Sequence, residues 1–278
     1  MNVLFSRGES NPHLGAYRAY VYLDTSGLRE PLSTPADHFK YNRTYGINSY
    51  SAGALFLNQL EYIIGEEPFA RGMKRYWNQW QFKHPKPEDF IRIMERESDL
   101  ELDWYLSYYV DQVKSIDYTV SLTRSDAKGA EILLERKGLF PMPIDLRITY
   151  ASGRVEMLNI PLVSMYGAKR VEGYDVQAPW GWTHPEYLLK HTATEPIISV
   201  EIDPSKRLLD IDRTNNVYLF FGPLLCLAAF VMRFFAPLPR LYPFAFFGFF
   251  GCFDGPGSSS SAAVFPLRGL TLLIETDD

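Results

Sequence analysis

Residues 106–122, LSYYVDQVKSIDYTVSL, mark a change in secondary structure, because the spacing of the apolar residues changes partway along them. Leu102, Leu106 and Tyr109 lie three or four residues apart, which places them on one face of a helix. From Asp117 onward apolar and polar residues alternate, as in a strand with one buried face. The chain is therefore predicted to have an α+β fold, with helices before this point and antiparallel strands after it.

Upstream of residue 116 the sequence predicts a series of helices. One begins at a cap formed by Asn48 or Ser49 and ends at Gly65. The next opens with Glu66-Glu67-Pro68, which combines acidic residues and proline in the first turn. The expected helices are, in chain order, 14–23, 48–64, one from 66 onward with Phe69, Met73, Tyr76, Trp77 and Trp80 at helical spacing, one after the rigid turn 84–87, and 102–113.

Downstream of Asp117 the sequence predicts several short strands with turn residues between them. Such runs, separated by Gly or Pro, are typical of a small antiparallel β-sandwich. The Trp180–Pro185 segment interrupts the strands as a loop. The expected strands are 117–122, 132–135, 144–150, 155–160 and 197–202, with Gly129, Gly138, Gly153 and Pro204 as turn signals.

Composition and charge exclude some classes of function. The net charge of −5 and the absence of a long basic run argue against nucleic-acid binding. The 15 % aromatic content points to large buried surfaces. The two cysteines, Cys226 and Cys252, lie near the C-terminus, so the body of the chain has neither a disulfide framework nor a cysteine metal site. The compartment stays open, with periplasmic and membrane-associated locations both compatible.

The composition changes abruptly after Asn216. Residues 217–232 are nearly all apolar but fall short of the roughly 20 residues that a spanning helix needs, and they include Pro223. A second aromatic and apolar run precedes a Gly/Ser stretch at 255–261. A membrane anchor, a short packed or disordered tail, and a reading frame that is not the native one all remain open for residues 213–278.

Motifs that would carry chemistry by themselves are few. The sequence has no H-E-x-x-H, no phosphate-binding glycine loop and no G-x-S-x-G. His184 and His191 flank Glu186, but surface or packing histidines are the favoured interpretation. Asp103 and Asp111 are eight residues apart on one helix face, and solvated surface acids are the favoured interpretation for them.

The tryptophan pair in the loop 180–185 has two interpretations. Trp180 and Trp182 could stack on a sugar or a peptide. The favoured alternative is a loop pinned to the sandwich by two buried rings.

The segment Tyr50-Ser51-Ala52-Gly53-Ala54 resembles the aminopeptidase N family of zinc metallopeptidases (gluzincins), in which a tyrosine opens a helix as Y-x-K-G-A. Ala52 stands where the family has lysine, which is a departure from the pattern. Residues 69–76, 87–90 and the transition near Ile116 follow in the family's order. Residues 138–143 and 180–185 resemble a bacterial branch of the family, so that the match covers roughly residues 15–216.

The resemblance implies a function for the parent family. These proteases use zinc and a glutamate to activate water for attack on an N-terminal peptide bond. Tyr50 falls on the family tyrosine that donates a hydrogen bond to the developing oxyanion, and Tyr45 is a candidate to line the substrate cleft. The two zinc-binding histidines, the general base and the third ligand lie upstream in the family, so no metal ligands and no bound cofactor are expected in this chain.

The resemblance therefore implies a fragment of a zinc aminopeptidase that lacks its N-terminal half and is inactive alone. Residues 1–116 would be the helical C-terminal part of a thermolysin-like catalytic domain, 117–212 the β-sandwich, and 213–278 an apolar and Gly/Ser-rich tail. Its partners would be a peptide substrate and the missing half. The alternative is a non-catalytic binding module, attached to a membrane through its tail.

Overall fold

The computed structural model describes residues 11–126, 129–193, 195–219, 265–267 and 270–272. Within these ranges the α-helices precede the strands of two larger, mainly antiparallel sheets, so the expected α+β class is confirmed. The helices are α1 (Leu14–Thr25), α2 (Asn42–Gly46), α3 (Gly53–Ile64), α4 (Glu66–Trp80), α5 (Pro87–Ser98) and α6 (Asp103–Leu106), with π-helical segments at Ile47–Ala52 and Ser107–Asp111.

Residues 42–64 form one uninterrupted helix built from α2, the first π-helical segment and α3. The prediction that Asn48 or Ser49 caps this helix is wrong, because the helix begins at Asn42. Asn48 lies inside it, and its buried side-chain amide donates to the backbone carbonyls of Glu30 and Pro31. Gly65 ends the helix as expected, at φ +94°, a backbone conformation that L side chains rarely adopt.

The later helices follow the expected order but bury less than their sequence pattern suggests. Helix α4 begins at Glu66 as predicted, yet Met73 and Trp77 on its apolar face are 36 % and 65 % exposed. The helix predicted over 102–113 is the single turn α6 followed by the second π-helical segment. Val113 was expected on its inner face, but the helix ends before it and Val113 is 46 % exposed.

The strands are β1 (Tyr118–Asp126), β2 (Gly129–Arg136), β3 (Ile144–Tyr150), β4 (Val155–Ile160), β5 (Tyr174–Val176), β6 (Glu186–His191), β7 (Ile197–Ile202) and β8 (Val217–Leu219). One sheet has the order β1-β2-β6 and the other the order β5-β4-β3-β7-β8. Neighbouring strands are antiparallel except β4 and β5, which pair in parallel over three residues. The predicted bounds of β3, β4 and β7 match the structure, whereas β5, β6 and β8 were not predicted.

A continuous apolar core joins the helices to both sheets. Tyr62 of α3 is one link, since its buried hydroxyl accepts from the Asp145 backbone N–H of β3 at 2.9 Å and donates to the Pro143 carbonyl at 3.2 Å. Gly138 is another point of close approach, because a Cβ there would collide with the Ser115 carbonyl oxygen. The division of this part of the chain at residue 116 stays a prediction.

The segment Ala228–Asp278 is a separate compact unit. Its described residues are two short strands, β9 (Phe265–Leu267) and β10 (Leu270–Leu272), which pair antiparallel. The first three residues of the predicted apolar run, 217–219, form strand β8, which pairs with β7. The rest of that run and the Gly/Ser stretch lie outside the described residues, and so do the predictions of a membrane-bound, packed or disordered tail. None of the helices that the structure describes is both long enough and apolar enough to cross a bilayer.

Candidate active-site segment

Tyr50 lies in the middle of the π-helical segment Ile47–Ala52. Segments of this kind interrupt α-helices rarely and frequently occur at functional sites. The side chain of Tyr50 is 72 % exposed, and the described part of the chain offers its hydroxyl no hydrogen-bond partner. The phenol is therefore accessible to a molecule that approaches this face of the helix.

Tyr45 lies beside Tyr50, five residues earlier. Their ring centroids are 6.5 Å apart at 75°, and Tyr45 in turn makes an edge contact with Phe39 at 5.5 Å. In an α-helix, residues five apart do not face each other, whereas the wider π-helical turn brings them closer together. The structure thus brings the two sequence-predicted site residues together through a local geometry that the sequence pattern did not predict.

The two residues that flank Tyr50 at a distance of two positions both point inward. Asn48 and Ala52 are each 2 % exposed. The Asn48 amide donates to the Glu30 carbonyl at 2.8 Å, and the Ala52 carbonyl accepts from the Tyr109 hydroxyl at 2.8 Å. Sequence reasoning missed these anchors because Asn48 looked like a helix cap, although the apolar stripe at Tyr105 and Tyr109 carries two hydroxyls that need partners once they are buried.

An apolar groove of about 680 Å³ begins next to this segment. Gly53 and Leu57 line it and lie three and seven residues after Tyr50, so they continue the same side of the helix. The opposite wall comes from α4, α5 and the turn between them, and the remaining lining residues are Leu32, Ser33, Phe56, Met73, Tyr76, Pro85, Lys86, Pro87, Phe90, Leu106 and Val110.

His184 and His191, which flank Glu186 in the sequence and would form at best a weak metal cluster with it, have different partners. The Nε2 atom of His191 lies 2.6 Å from the Tyr150 hydroxyl and 3.1 Å from a carboxylate oxygen of Glu156. The exposed His184 contacts the hydroxyl of its neighbour Thr183 at 3.3 Å through Nδ1. His191 is therefore part of a hydrogen-bonded cluster at the edge of the sheets.

In the loop 180–185, Trp180 is buried as expected and Trp182 is not. Trp180 is buried, donates to the His184 carbonyl at 3.0 Å and packs against the ring of Tyr118. Trp182 was expected to be buried too, but its ring is 51 % exposed while its backbone carbonyl accepts from Arg136 at 2.6 Å. The buried Trp180 ring anchors the loop by itself, because the hydrogen bond from the Arg136 side chain to the Trp182 carbonyl holds the loop at residue 182.

The described residues do not fit the family's zinc site. Their one group of three possible ligands within reach of a single ion is Glu95, Glu101 and Asp103, all carboxylates. Catalytic zinc sites of this class combine histidines with a carboxylate. Glu95 already accepts a hydrogen bond from the Leu102 backbone N–H at 2.9 Å, and its pKa is raised by burial and by the neighbouring acids. Asp111, considered with Asp103 as an acid pair, is not part of this group.

The segment that carries Tyr50 matches a known protein family. Residues 7–109 match the model of the peptidase family M1 domain. The expected resemblance to the M1 aminopeptidases is thereby confirmed over this segment.

Two curated proteins named aminopeptidase N are similar to this chain. The chain is 30 % identical over 148 residues to aminopeptidase N of Haemophilus influenzae, which is 52 % of this chain and 16 % of that protein. It is 27 % identical over 86 residues to aminopeptidase N of Escherichia coli, covering 31 % of this chain and 10 % of that protein. The chain thus corresponds to a small part of the length of either relative.

A solved structure also aligns with this chain. It is Legionella pneumophila aminopeptidase A in complex with aspartic acid, with 16 % identity and a TM-score of 0.44 over 71 % of this chain and 21 % of that one.

Proposed function

We propose that this chain is the C-terminal part of a zinc-dependent aminopeptidase that hydrolyses N-terminal peptide bonds, with Tyr50 as its transition-state hydrogen-bond donor. The helices through α6 would be the end of a thermolysin-like catalytic domain, and the two sheets a β-sandwich that follows it. The family match supports peptidase chemistry in general. The observation that carries the assignment of Tyr50 is its position, exposed on a π-helical turn between two buried and anchored neighbours.

The chemistry proposed for Tyr50 is hydrogen-bond donation. A phenol can donate its proton in a hydrogen bond while it stays neutral near pH 7. A donor that is already held in place stabilises negative charge as it develops on the carbonyl oxygen of the scissile bond. Tyr45 would line the substrate cleft beside it, within ring contact of Tyr50.

The zinc ligands would come from residues that precede this chain, since the described residues do not supply them. We propose accordingly that the chain alone hydrolyses no peptide and that its partners are the peptide substrate and the N-terminal half of the domain. The DNA upstream of codon 1 tests this proposal. An open frame continuous with this one and encoding H-E-x-x-H and a third acidic ligand would support it. A stop codon directly upstream would contradict it.

Substitution of Tyr50 tests the catalytic role. In the protein extended through that upstream frame, Tyr50→Phe should lower kcat by about 10²–10³-fold, the usual cost of one oxyanion donor. Zinc content and the circular dichroism spectrum should not change, because the ring is kept and the hydroxyl has no described partner. The matched control is Tyr41→Phe, an exposed tyrosine nearby that should retain full activity. An unchanged kcat in Tyr50→Phe would refute the role.

A further inference from the structure

The π-helical turn that carries Tyr50 is held by groups far away in the sequence. The Tyr109 hydroxyl donates to the Ala52 carbonyl at 2.8 Å, across 57 positions of the chain. Tyr109 is 1 % exposed and belongs to the other π-helical segment, Ser107–Asp111. The two irregular helical segments are therefore joined directly by one buried hydrogen bond.

A second set of hydrogen bonds holds the π-helical turn on the N-terminal side of Tyr50. The Asn48 amide donates to the Glu30 carbonyl at 2.8 Å and approaches the Pro31 carbonyl at 3.3 Å. The side chain of Glu30 also accepts from the Thr44 hydroxyl at 3.1 Å. Residues 48 and 52 are four apart and share the buried face, so that residue 50 between them must point away from it.

A π-helical turn needs such support more than an α-helical turn does. Its wider hydrogen-bond ring is rare and is found mostly as a single turn inside an α-helix. Here the Gly53 N–H reaches back to the Asn48 carbonyl, the five-residue spacing of a π-helix. If the outside anchors were removed, the segment could relax to the four-residue spacing, and Tyr50 would rotate relative to Tyr45.

We infer that Tyr109 is a positioning residue for Tyr50, which holds the π-helical turn through the Ala52 carbonyl and thereby aims the phenol. The catalytic relevance of this inference rests on the function proposed above, whereas its structural part does not. Tyr109 itself is buried, so it would act through the turn and not on substrate directly. Asn48 supports the same turn from the opposite end.

The neighbouring tyrosine provides a matched control. Tyr105 is also fully buried, and its hydroxyl donates to the Phe56 carbonyl at 2.9 Å. Phe56 lies in the regular helix α3, beyond the π-helical segment. Tyr105→Phe and Tyr109→Phe thus remove the same group with nearly the same burial and bond length, and only Tyr109→Phe releases the turn of Tyr50.

The test uses the full chain with 3-fluorotyrosine placed at position 50. Tyr109→Phe should shift or broaden its ¹⁹F resonance and raise hydrogen exchange of the amides at 50–53 about tenfold, the change that loss of one hydrogen bond of ~1.4 kcal/mol gives. Tyr105→Phe should leave both signals as in the parent. Equal changes in both variants, or none in Tyr109→Phe, would overturn the inference.

In the extended enzyme Tyr109→Phe should lower kcat several-fold with KM unchanged, because misplacement of a catalytic group costs rate more than binding. If Tyr50→Phe leaves kcat intact while the ¹⁹F signal still responds to Tyr109→Phe, the proposed function fails and the positioning of Tyr50 stands. If the ¹⁹F signal does not respond, the positioning fails whatever the activity shows.

Discussion

Asp210 is a buried carboxyl group that should make stability depend on pH. It is 0 % exposed, and its two oxygens accept from the backbone N–H groups of Tyr118 at 3.0 Å and Asp212 at 2.9 Å. Burial nevertheless dominates and raises the pKa of Asp210 from 3.8 to about 7. The folded state therefore holds a proton on this group at pH values where the unfolded state has lost it.

The sign of the effect follows from linkage. Between the ordinary pKa and the raised one the folded state binds more protons, so the contribution of Asp210 to stability is fully present at lower pH and is lost as the pH rises toward about 7. The slope is at most ~1.4 kcal/mol per pH unit. Asp210→Asn should flatten the fall in unfolding free energy between pH 5 and pH 7, measured by urea denaturation at each pH. A slope identical to that of the parent would show that Asp210 is ionised throughout.

At the residue scale the sequence located Tyr50 but not its geometry. The motif around Tyr50 and its place before the apolar stripe predicted a hydroxyl that points away from the helix core, in the first turn of a helix. The first-turn placement is wrong, because the helix begins at Asn42. The π-helical turn has no such local signature, because it depends on contacts from Glu30 and Tyr109 that only the folded chain supplies. Asn48 shows the same limit. A polar residue before an apolar run predicts a helix cap as readily as it predicts a buried hydrogen-bond donor inside the helix.

At the element scale, three strands were predicted with their observed bounds, whereas the three-residue strands β5 and β8 and the six-residue strand β6 were not predicted. Strands β3, β4 and β7 have the predicted bounds because their apolar residues face a core that their own pattern reveals. Strand β5 has three residues and none of them is fully buried, so no pattern marks it. Strand β8 likewise has three residues, and only its hydrogen-bonded pairing with β7 identifies it as a strand.

Lys169 links a helix to a sheet through a buried ion pair. Its Nζ atom lies 2.5 Å from a carboxylate oxygen of Asp145 in β3 and 3.1 Å from the Tyr62 carbonyl in α3. The ammonium also lies 4.4 Å from the centre of the Tyr62 ring. The other Asp145 oxygen accepts from Asn159, so removal of the lysine would leave a buried carboxylate without a cation.

Lys169→Met should therefore destabilise the fold by about 3–5 kcal/mol, the usual cost of an uncompensated buried charge. The double variant Lys169→Met with Asp145→Asn should recover most of that loss, because no unpaired charge remains. Arg207→Met is the matched control, since its pair with Glu61 at 2.7 Å is partly exposed and should be worth about 0–1 kcal/mol. Urea denaturation of the three variants would decide, and a double variant no more stable than Lys169→Met would contradict the argument.

At the scale of the whole molecule, the helical part leaves apolar surface uncovered. Trp77 of α4 is 65 % exposed, and Phe82 just beyond it is 98 % exposed at φ +61°. Both lie near the elements that wall the apolar groove. A monomeric protein rarely exposes a contiguous apolar patch larger than a few hundred Å². Since the chain matches only 16 % and 10 % of the length of its relatives, this surface is where we expect further parts of the domain to pack.

We expect the isolated chain to self-associate through this surface. Its sedimentation coefficient should rise with concentration in buffer without detergent, and the variant Trp77→Lys with Phe82→Ser should reduce that rise, because it replaces the two most exposed rings of the patch. Trp182→Ser is the control, since Trp182 is half exposed in the loop between β5 and β6 and should not contribute. The same comparison in a chain truncated after Leu219 distinguishes self-association through this patch from self-association through the apolar run that follows Leu219. If the parent is monomeric at every concentration, the chain itself covers α4 and the groove, and this surface needs no further part of the domain.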